Sequence, residues 1–598
     1  MSTFSLRPIA FGVVLILLCA IAVPAMASCV TTDYNVFVGV PPTANWIGPI
    51  WLPPGIPGVT GSCDAAINTN VTTHIVVNSV IPNALGGLDF NCSSCVIDIQ
   101  PGGQLTIGGT GLVRNGAIVK LNGGTLVVNT PAAEGGVSFQ SSSQLHILSG
   151  TISGTGLINV DSDSTILYDS ASNATISGVT IKTNGTMTLA PSVPTTLTLT
   201  NGAIIDNWGI IDINASVDIS NGSGVNGILN GGQFYVAFSA ESLITAKFDN
   251  LGGADGVIIT DGILKLGGGG TGNAPFFIGG DSVLEFTNDY TMLPGGTVSG
   301  GGLLYVNGGT LTIGGVTEPD RFRISSGTLT GDGFLSTKNF EWTGGTISGN
   351  GGTELAGSGT GNFSGSDGNM LLDGRVLNNY GYISYTSGTN TLELSNGAIF
   401  GVYGTFDIQT DGSITCDCTI PSLLKIAPNG FFYKGSGSGT FLVDVPSENT
   451  ASVASYSGTL EFAGDGTHYG SFYVAGGSAL SFSAANTTLG VNSNVNGDGT
   501  IEFPQGNTQI EGNYEVAGGT TISGANVTVS NASDTGDFNF VTGALTVDAD
   551  FTMHGTGTWS CGTVAGTGGV FRIANGASMT IDGALSPPTL NGAELVND

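Results

Sequence analysis

From Gly102 onward the chain alternates apolar and polar residues in very short runs. Thr196-Leu-Thr-Leu-Thr200, Thr391-Leu-Glu-Leu394 and Val527-Thr-Val529 are typical. A period of two puts every second side chain on one face, the signature of a half-buried strand. Glycine or Asn-Gly separates the runs. Both supply the positive φ of tight corners. No stretch of about 12 residues carries a helical period. Gln233 to Leu251 lacks Gly and Pro and could hold a short helix, but Phe234-Tyr-Val-Ala237 recurs as Phe472-Tyr-Val-Ala475, which favours a strand.

The runs belong to internal repeats. Gly-Thr-aliphatic-small-Gly occurs at Gly150–Gly154, Gly296–Gly300, Gly327–Gly331, Gly345–Gly349 and Gly562–Gly566. An aromatic-Gly unit starts at Trp208, Tyr380, Tyr403 and Tyr469, and Asn-Gly-Ala starts at Asn115, Asn201, Asn396, Asn575 and Asn591. Tyr380 to Tyr403 spans 23 residues and Gly327 to Gly345 spans 18. Propeller blades need about 40–50 residues and sandwich domains about 100. Repeats of about 20 residues fit a parallel β-solenoid, in which each coil buries the apolar side of its neighbour. The expected fold is all-β, a single-stranded right-handed parallel β-helix with an N-terminal cap. Coils of ~20 residues, ~4.8 Å apart, predict roughly 25–28 coils and a rod of ~120–135 Å. A narrow core is expected to leave little room for large side chains. Asn and Thr in register are expected to ladder hydrogen bonds between coils.

Composition sharpens this picture. Glycine fills 99 of 598 positions, far above the usual ~7%. Only 10% of residues are charged while 40% are hydrophobic, which argues against disorder. The 44 acidic and 13 basic residues leave a net charge of −31. Nucleic-acid binding needs clustered Lys and Arg, so it is not expected.

The N-terminus reads as a secretory signal peptide over 1–27. Arg7 is followed by an apolar run from Ile9 to Val23 and by Ala25-Met-Ala27, placing cleavage between Ala27 and Ser28. Met26-Ala-Ser28 is a poor lipoprotein box for Cys29. No later segment is apolar enough to span a membrane, so none is expected in the mature chain. Residues 28–100 read as the cap, with Trp46, Trp51, six prolines from Pro41 to Pro57, and the disulfide candidates Cys29, Cys63, Cys92 and Cys95. Cys92-Ser-Ser-Cys95 precedes a strand pattern rather than a helix, which favours a structural bond over a redox motif. Cys416-Asp-Cys418 is a tighter pair, and Cys561 stands where a sister repeat has Gly344. Residues 101–598 read as the solenoid. The final Asn591-Gly-Ala unit breaks off, which suggests a truncated copy.

Trp342-Thr-Gly-Gly-Thr-Ile-Ser-Gly349, with the Asn-Gly-Ala and aromatic-Gly units, resembles the strand repeats of bacterial surface proteins. Autotransporter passengers and filamentous-haemagglutinin-like adhesins are similar to it from about Gly102 to the end. The resemblance implies a right-handed β-helix, display at the outer membrane, and adhesion or a matrix role. Its partners would be a host or neighbouring-cell surface, through a matrix glycan or protein ligand. No membrane barrel follows the repeats and no Asn-Pro-Asn motif opens them. No functional residue carries over.

Candidate chemistry is sparse. Gly222-x-Gly-x-x-Gly227 and Gly267-x-Gly-x-x-Gly272 open no helix and fail as phosphate loops. His74, His146, His468 and His554 each stand alone, without the spacing of a triad or zinc site. A polysaccharide lyase or hydrolase on the same solenoid is the alternative function. It needs clustered carboxylates with a basic residue. Glu318, Asp320, Arg321 and Arg323 form the one such cluster. No catalytic residue is assigned. Calcium is the one cofactor left open, through Asp161-Ser-Asp163 and the turn acids Asp332, Asp465 and Asp498.

Overall fold

In the computed structural model the described residues are 74–598 except 82, 253–255, 418, 567 and 584–586. The short strands Asn35–Val36, Thr43–Asn45, Trp51–Leu52 and Asp64–Thr69 are also described. The expected signal peptide, its cleavage point at Ala27 and Ser28, and Cys29 and Cys63 lie outside them.

Among the described residues there is no α-helix. A single 3₁₀ turn, Ala132–Glu134, interrupts 65 strands. Each turn of the chain contributes one strand to each of three parallel sheets. In the first sheet Val119 lies on Leu145, then Ile166, Met187, Ile211 and Phe234 follow in register. All of these are buried. In the second, Leu126 lies on Ile152, Ile176 and Leu199. In the third, Ile158 lies on Ile181, Ile205 and Ile228. The period-two pattern turns these residues into one continuous apolar core running from Ala65 to Ile573. A parallel β-solenoid of about 23 turns results.

The coil number falls below the expected range because turns are longer than 20 residues on average. Steps run from 18 residues, Leu335 to Thr353, to 29, Ile414 to Val443. The 26-residue step from Val119 to Leu145 carries the 3₁₀ turn in its second corner. At ~4.8 Å per turn the rod is roughly 110 Å long. Stacking also extends N-terminal of residue 101. His74–Val77 pairs in parallel with Val96–Ile99, which pairs with Ile118–Leu121. Residues 74–100 are thus wound in the same way as the rest.

The core holds large side chains, against expectation. Trp342, Tyr168, Tyr385 and Tyr514 are fully buried. Phe462, Phe482 and Phe503 occupy one position in successive turns, with ring centroids 6.0 and 5.9 Å apart. The three phenylalanines fit because each lies on its equivalent in the next turn, whereas Tyr168 fits between the smaller Ile147 and Leu189 and Tyr514 between Val495 and Ser533.

The sequence repeats do not each keep to one side. The Gly-Thr unit forms a strand of the second sheet at Gly150, the first at Gly296 and Gly562, and the third at Gly327 and Gly345. Asn-Gly corners likewise serve different edges. Asn115-Gly116 and Asn201-Gly202, both with positive φ, turn the chain out of the third and second sheets respectively. The repeated unit is therefore one strand with its corner, about a third of a turn.

Candidate functional site

The aromatic-Gly units put rings on the outside. Asn379 ends its strand buried, and its Oδ1 accepts a hydrogen bond from the Gly381 N–H, 3.0 Å. That closes the corner and turns Tyr380 outward, 41% exposed. Asn207 does the same beneath Trp208 through the Gly209 N–H, 3.2 Å. Tyr380 stacks on Tyr403 of the next turn, with centroids 4.8 Å apart. Tyr469 occupies the same edge and lies on Gly490, where a Cβ would come within 2.5 Å of its ring.

Beside this edge, outward positions of the second sheet carry further rings. Asp407, Tyr433, Ala454 and Tyr473 face outward in register. Tyr456, just past its strand, lies 5.8 Å from both Tyr433 and Tyr473. Phe431 stacks on Tyr433 at 4.6 Å. The Tyr382 hydroxyl donates to Asp407 Oδ2 at 2.6 Å, and Gln409 Nε2 donates to the same oxygen at 3.0 Å. Burial, and then Asp407, raise the Tyr433 and Tyr382 phenols above their usual range, so both stay protonated donors. From Tyr380 to Tyr473 the band covers five turns, about 20 Å. Between Tyr382 and Tyr473 no outward position of this sheet is basic. Lys434 is there, but its side chain is wholly buried.

Further along, the corner between the second and third sheets narrows into a groove. Clefts of about 520 and 450 Å³ share Ala517, Gly536 and His554. Asp498, Glu515, Asp534 and Asp537 line them, with no Lys or Arg. His554 Nε2 lies 2.8 Å from Asp534 Oδ1. Asp537 Oδ1 accepts from the Thr556 N–H and hydroxyl, 2.7 and 3.0 Å, and so braces the corner.

The residues singled out by sequence are dispersed. His74 pairs with Asp98 at 3.3 Å and His146 with Asp169 at 2.7 Å. His468 is buried among Phe462, Phe472 and Phe482. A corner splits the Arg cluster: Glu318 stands on the first sheet and Arg321 and Arg323 on the second. Arg323 lies over the Tyr305 ring at 5.0 Å, and Lys338 pairs with Asp320 at 2.8 Å. The turn acids bond to neighbouring turns: Asp465 accepts from the Asn486 N–H at 2.8 Å, and Asp332 from Asn350 Nδ2 at 3.1 Å. Among the described residues no three His, Cys, Asp or Glu side chains gather as a metal site. Both glycine patterns run into strands, Gly227–Asn230 and Gly270–Gly272. Cys92 and Cys95 are joined by a disulfide at the corner before Val96–Ile99. Cys416 is disulfide-bonded, and position 418 lies outside the described residues. Cys561 is half-buried with the Thr542 hydroxyl 3.9 Å from its sulfur.

Sequence reasoning flagged the corner rings but missed the in-register row, because Phe431, Tyr433 and Tyr456 lie outside the repeated motif. The row is aligned by unequal steps of 26, 21 and 19 residues, which set Tyr433 on Asp407, Ala454 on Tyr433 and Tyr473 on Ala454 and leave no fixed period in the sequence. Compared with known proteins, the chain matches no family model, no curated protein and no solved structure.

Proposed function

We propose that the protein is an exported, repetitive β-helical scaffold of the cell surface or matrix, which adheres through the outer face of its second sheet. The observation that carries this reading is the aromatic band from Tyr380 to Tyr473. It sits on a rigid rod whose remaining outward positions are mostly small, polar or acidic. Exposed rings clustered on one side of a fold are a feature of contact surfaces. A long face also allows many weak contacts to sum. The leader-like N-terminus supports export, and the acidic surface supports solubility outside the cell.

The test is location and attachment. Antibodies to the solenoid should label intact cells, and deletion should reduce attachment to surfaces or neighbours. Full-length chain confined to the cytosol with its N-terminus uncut would overturn the reading. The acidic groove at Asp498–His554 favours a second reading, a polysaccharide-active enzyme. Release of reducing ends or unsaturated sugars by purified protein, abolished in Glu515→Gln or Asp534→Asn, would establish it.

A further inference from the structure

We propose that the band between Tyr382 and Tyr473 seats an uncharged, linear polysaccharide lying along the solenoid axis. This rests on reading the second sheet as the binding face, and names its ligand. Charge decides first. The chain carries −31, and no outward position of this stretch is basic, so an anionic polymer would meet only repulsion. A cationic partner needs a free carboxylate. The carboxylate in the band, Asp407, is 7% exposed and already accepts from Tyr382 and Gln409. A neutral ligand remains.

Shape decides next. Tyr433, Tyr456 and Tyr473 repeat at 5.8 Å centroid spacing, and Tyr380 and Tyr403 repeat at 4.8 Å beside them. A row of rings repeated by the fold suits a partner that is itself periodic and linear. Pyranose rings offer flat C–H faces to the aromatic rings and hydroxyls to the phenols. The Tyr382 hydroxyl gives its proton to Asp407, which leaves its oxygen to accept from a sugar hydroxyl next to the apolar faces, so both needs are met along one line. The rings are held by neighbours and bring little ordering cost to binding.

Affinity electrophoresis of the full chain tests this, in gels containing hydroxyethyl cellulose, xyloglucan or galactomannan, with alginate as the anionic control. At least one neutral polymer should retard the protein, and the retardation should persist in about 0.5 M NaCl, where ionic contacts are screened. Combined Tyr433→Ala, Tyr456→Ala and Tyr473→Ala should weaken it at least about tenfold. Trp208→Ala on another edge, and Tyr473→Phe, which keeps the ring, should not. Tyr456→Ala alone, outside any strand, gives a partial loss even if the triple variant misfolds. No retardation by any of the three neutral polymers, full binding by the triple variant, or preferential capture by poly-lysine would each overturn the proposal. If cell attachment persists while neutral glycans fail, the glycan assignment falls and the surface role stands.

Discussion

Arg375 Nη2 donates to the carbonyl oxygen of Gly333, two turns away along the axis, at 2.8 Å. The same guanidinium reaches the carbonyls of Gly331, Ser348 and Gly352 and the Thr353 hydroxyl, each at 2.9 Å. Five donors meet five acceptors in a site with no exposed surface. Burial pulls the guanidinium down to about 10, and Asp332 opposes that shift. It stays charged at neutral pH and ties three turns together at one edge.

Replacing Arg375 with Met therefore takes a donor from four carbonyls, of which Gly331 keeps the Gly351 N–H at 3.1 Å and the buried Gly333 loses its guanidinium partner. The expected cost is about 3–5 kcal/mol. Arg375→Lys, with three donors and no fork, should recover only part of it. Cooperativity breaks down in long repeat arrays, so the loss should be local. Hydrogen exchange should accelerate in Phe334–Trp342 and Gly352–Phe363 and stay unchanged near Thr186–Leu189. Uniform acceleration along the rod would show that Arg375 is not a local clamp.

Asn207, Asn230 and Asn250 form a buried ladder. Asn207 Nδ2 donates to Asn230 Oδ1 at 2.7 Å, and Asn230 Nδ2 to Asn250 Oδ1 at 2.9 Å. Asn230→Leu removes the central rung and leaves polar atoms unpaired above and below it. A cost of about 2–4 kcal/mol is expected, with exchange increased at 204–250. Asn201→Ser, at an exposed corner, should cost under about 1 kcal/mol.

Much of this fold could be read in the chain, and the reason is periodicity. Alternation in Thr195–Thr200 states which residues point inward, and Asn-Gly at Asn115 and Asn201 states where the chain turns. What could not be read is which sheet a strand joins. Phe234-Tyr-Val forms part of the first sheet and Phe472-Tyr-Val part of the second, because one strand-plus-corner unit fits any side of the coil. The buried Asn ladder had a signal in Asn207-Trp-Gly, Asn230-Gly-Gly and Asn250-Leu-Gly, an Asn two residues before a corner glycine. Arg375 had none. Four of its five acceptors are backbone atoms, as far as 44 residues away, and backbone atoms leave no trace in side-chain sequence. The ring row was half legible: Tyr380 and Tyr403 share a motif, whereas Tyr433 joins them only through register.

His468 makes stability depend on pH. Burial among phenylalanines pulls its pKa down to about 4 from an unfolded value near 6.5. The unfolded state then binds more protons between these values, so stability is full above about pH 6.5 and is lost as pH falls through 4. The shift corresponds to roughly 3 kcal/mol. Unfolding followed by exchange at Thr459–Phe462 and Ala479–Phe482 should show this acid sensitivity. His468→Phe should flatten it, and an unchanged slope in that variant would assign the effect to other groups.

Lys434 and Asp411 give an asymmetric prediction. The Lys434 ammonium has no exposed surface and donates to Asp411 Oδ1 at 2.7 Å and to the carbonyls of Ser436 and Gly437 at 2.6 and 2.8 Å. Asp411 is 43% exposed, and its other oxygen accepts from the Gly439 N–H at 2.9 Å. The hydrogen bond from Lys434 holds its carboxyl below the usual range. Removing the lysine leaves a carboxylate that water can reach, so Lys434→Met should cost about 1–2 kcal/mol. Removing the carboxylate leaves a buried ammonium with two carbonyls and no counter-charge, so Asp411→Ala should cost about 3–5 kcal/mol. The double variant should resemble Lys434→Met, because the stranded charge is gone. The loop at 436–439 also receives the Ser457 hydroxyl on the Gly437 carbonyl at 2.9 Å, next to Tyr456. Asp411→Ala should therefore loosen Tyr456 and weaken any ligand of the aromatic band, while Lys434→Met does so less. Equal costs for the two single variants, measured as shifts in local exchange, would show that the loop is held by its backbone bonds and not by the ion pair.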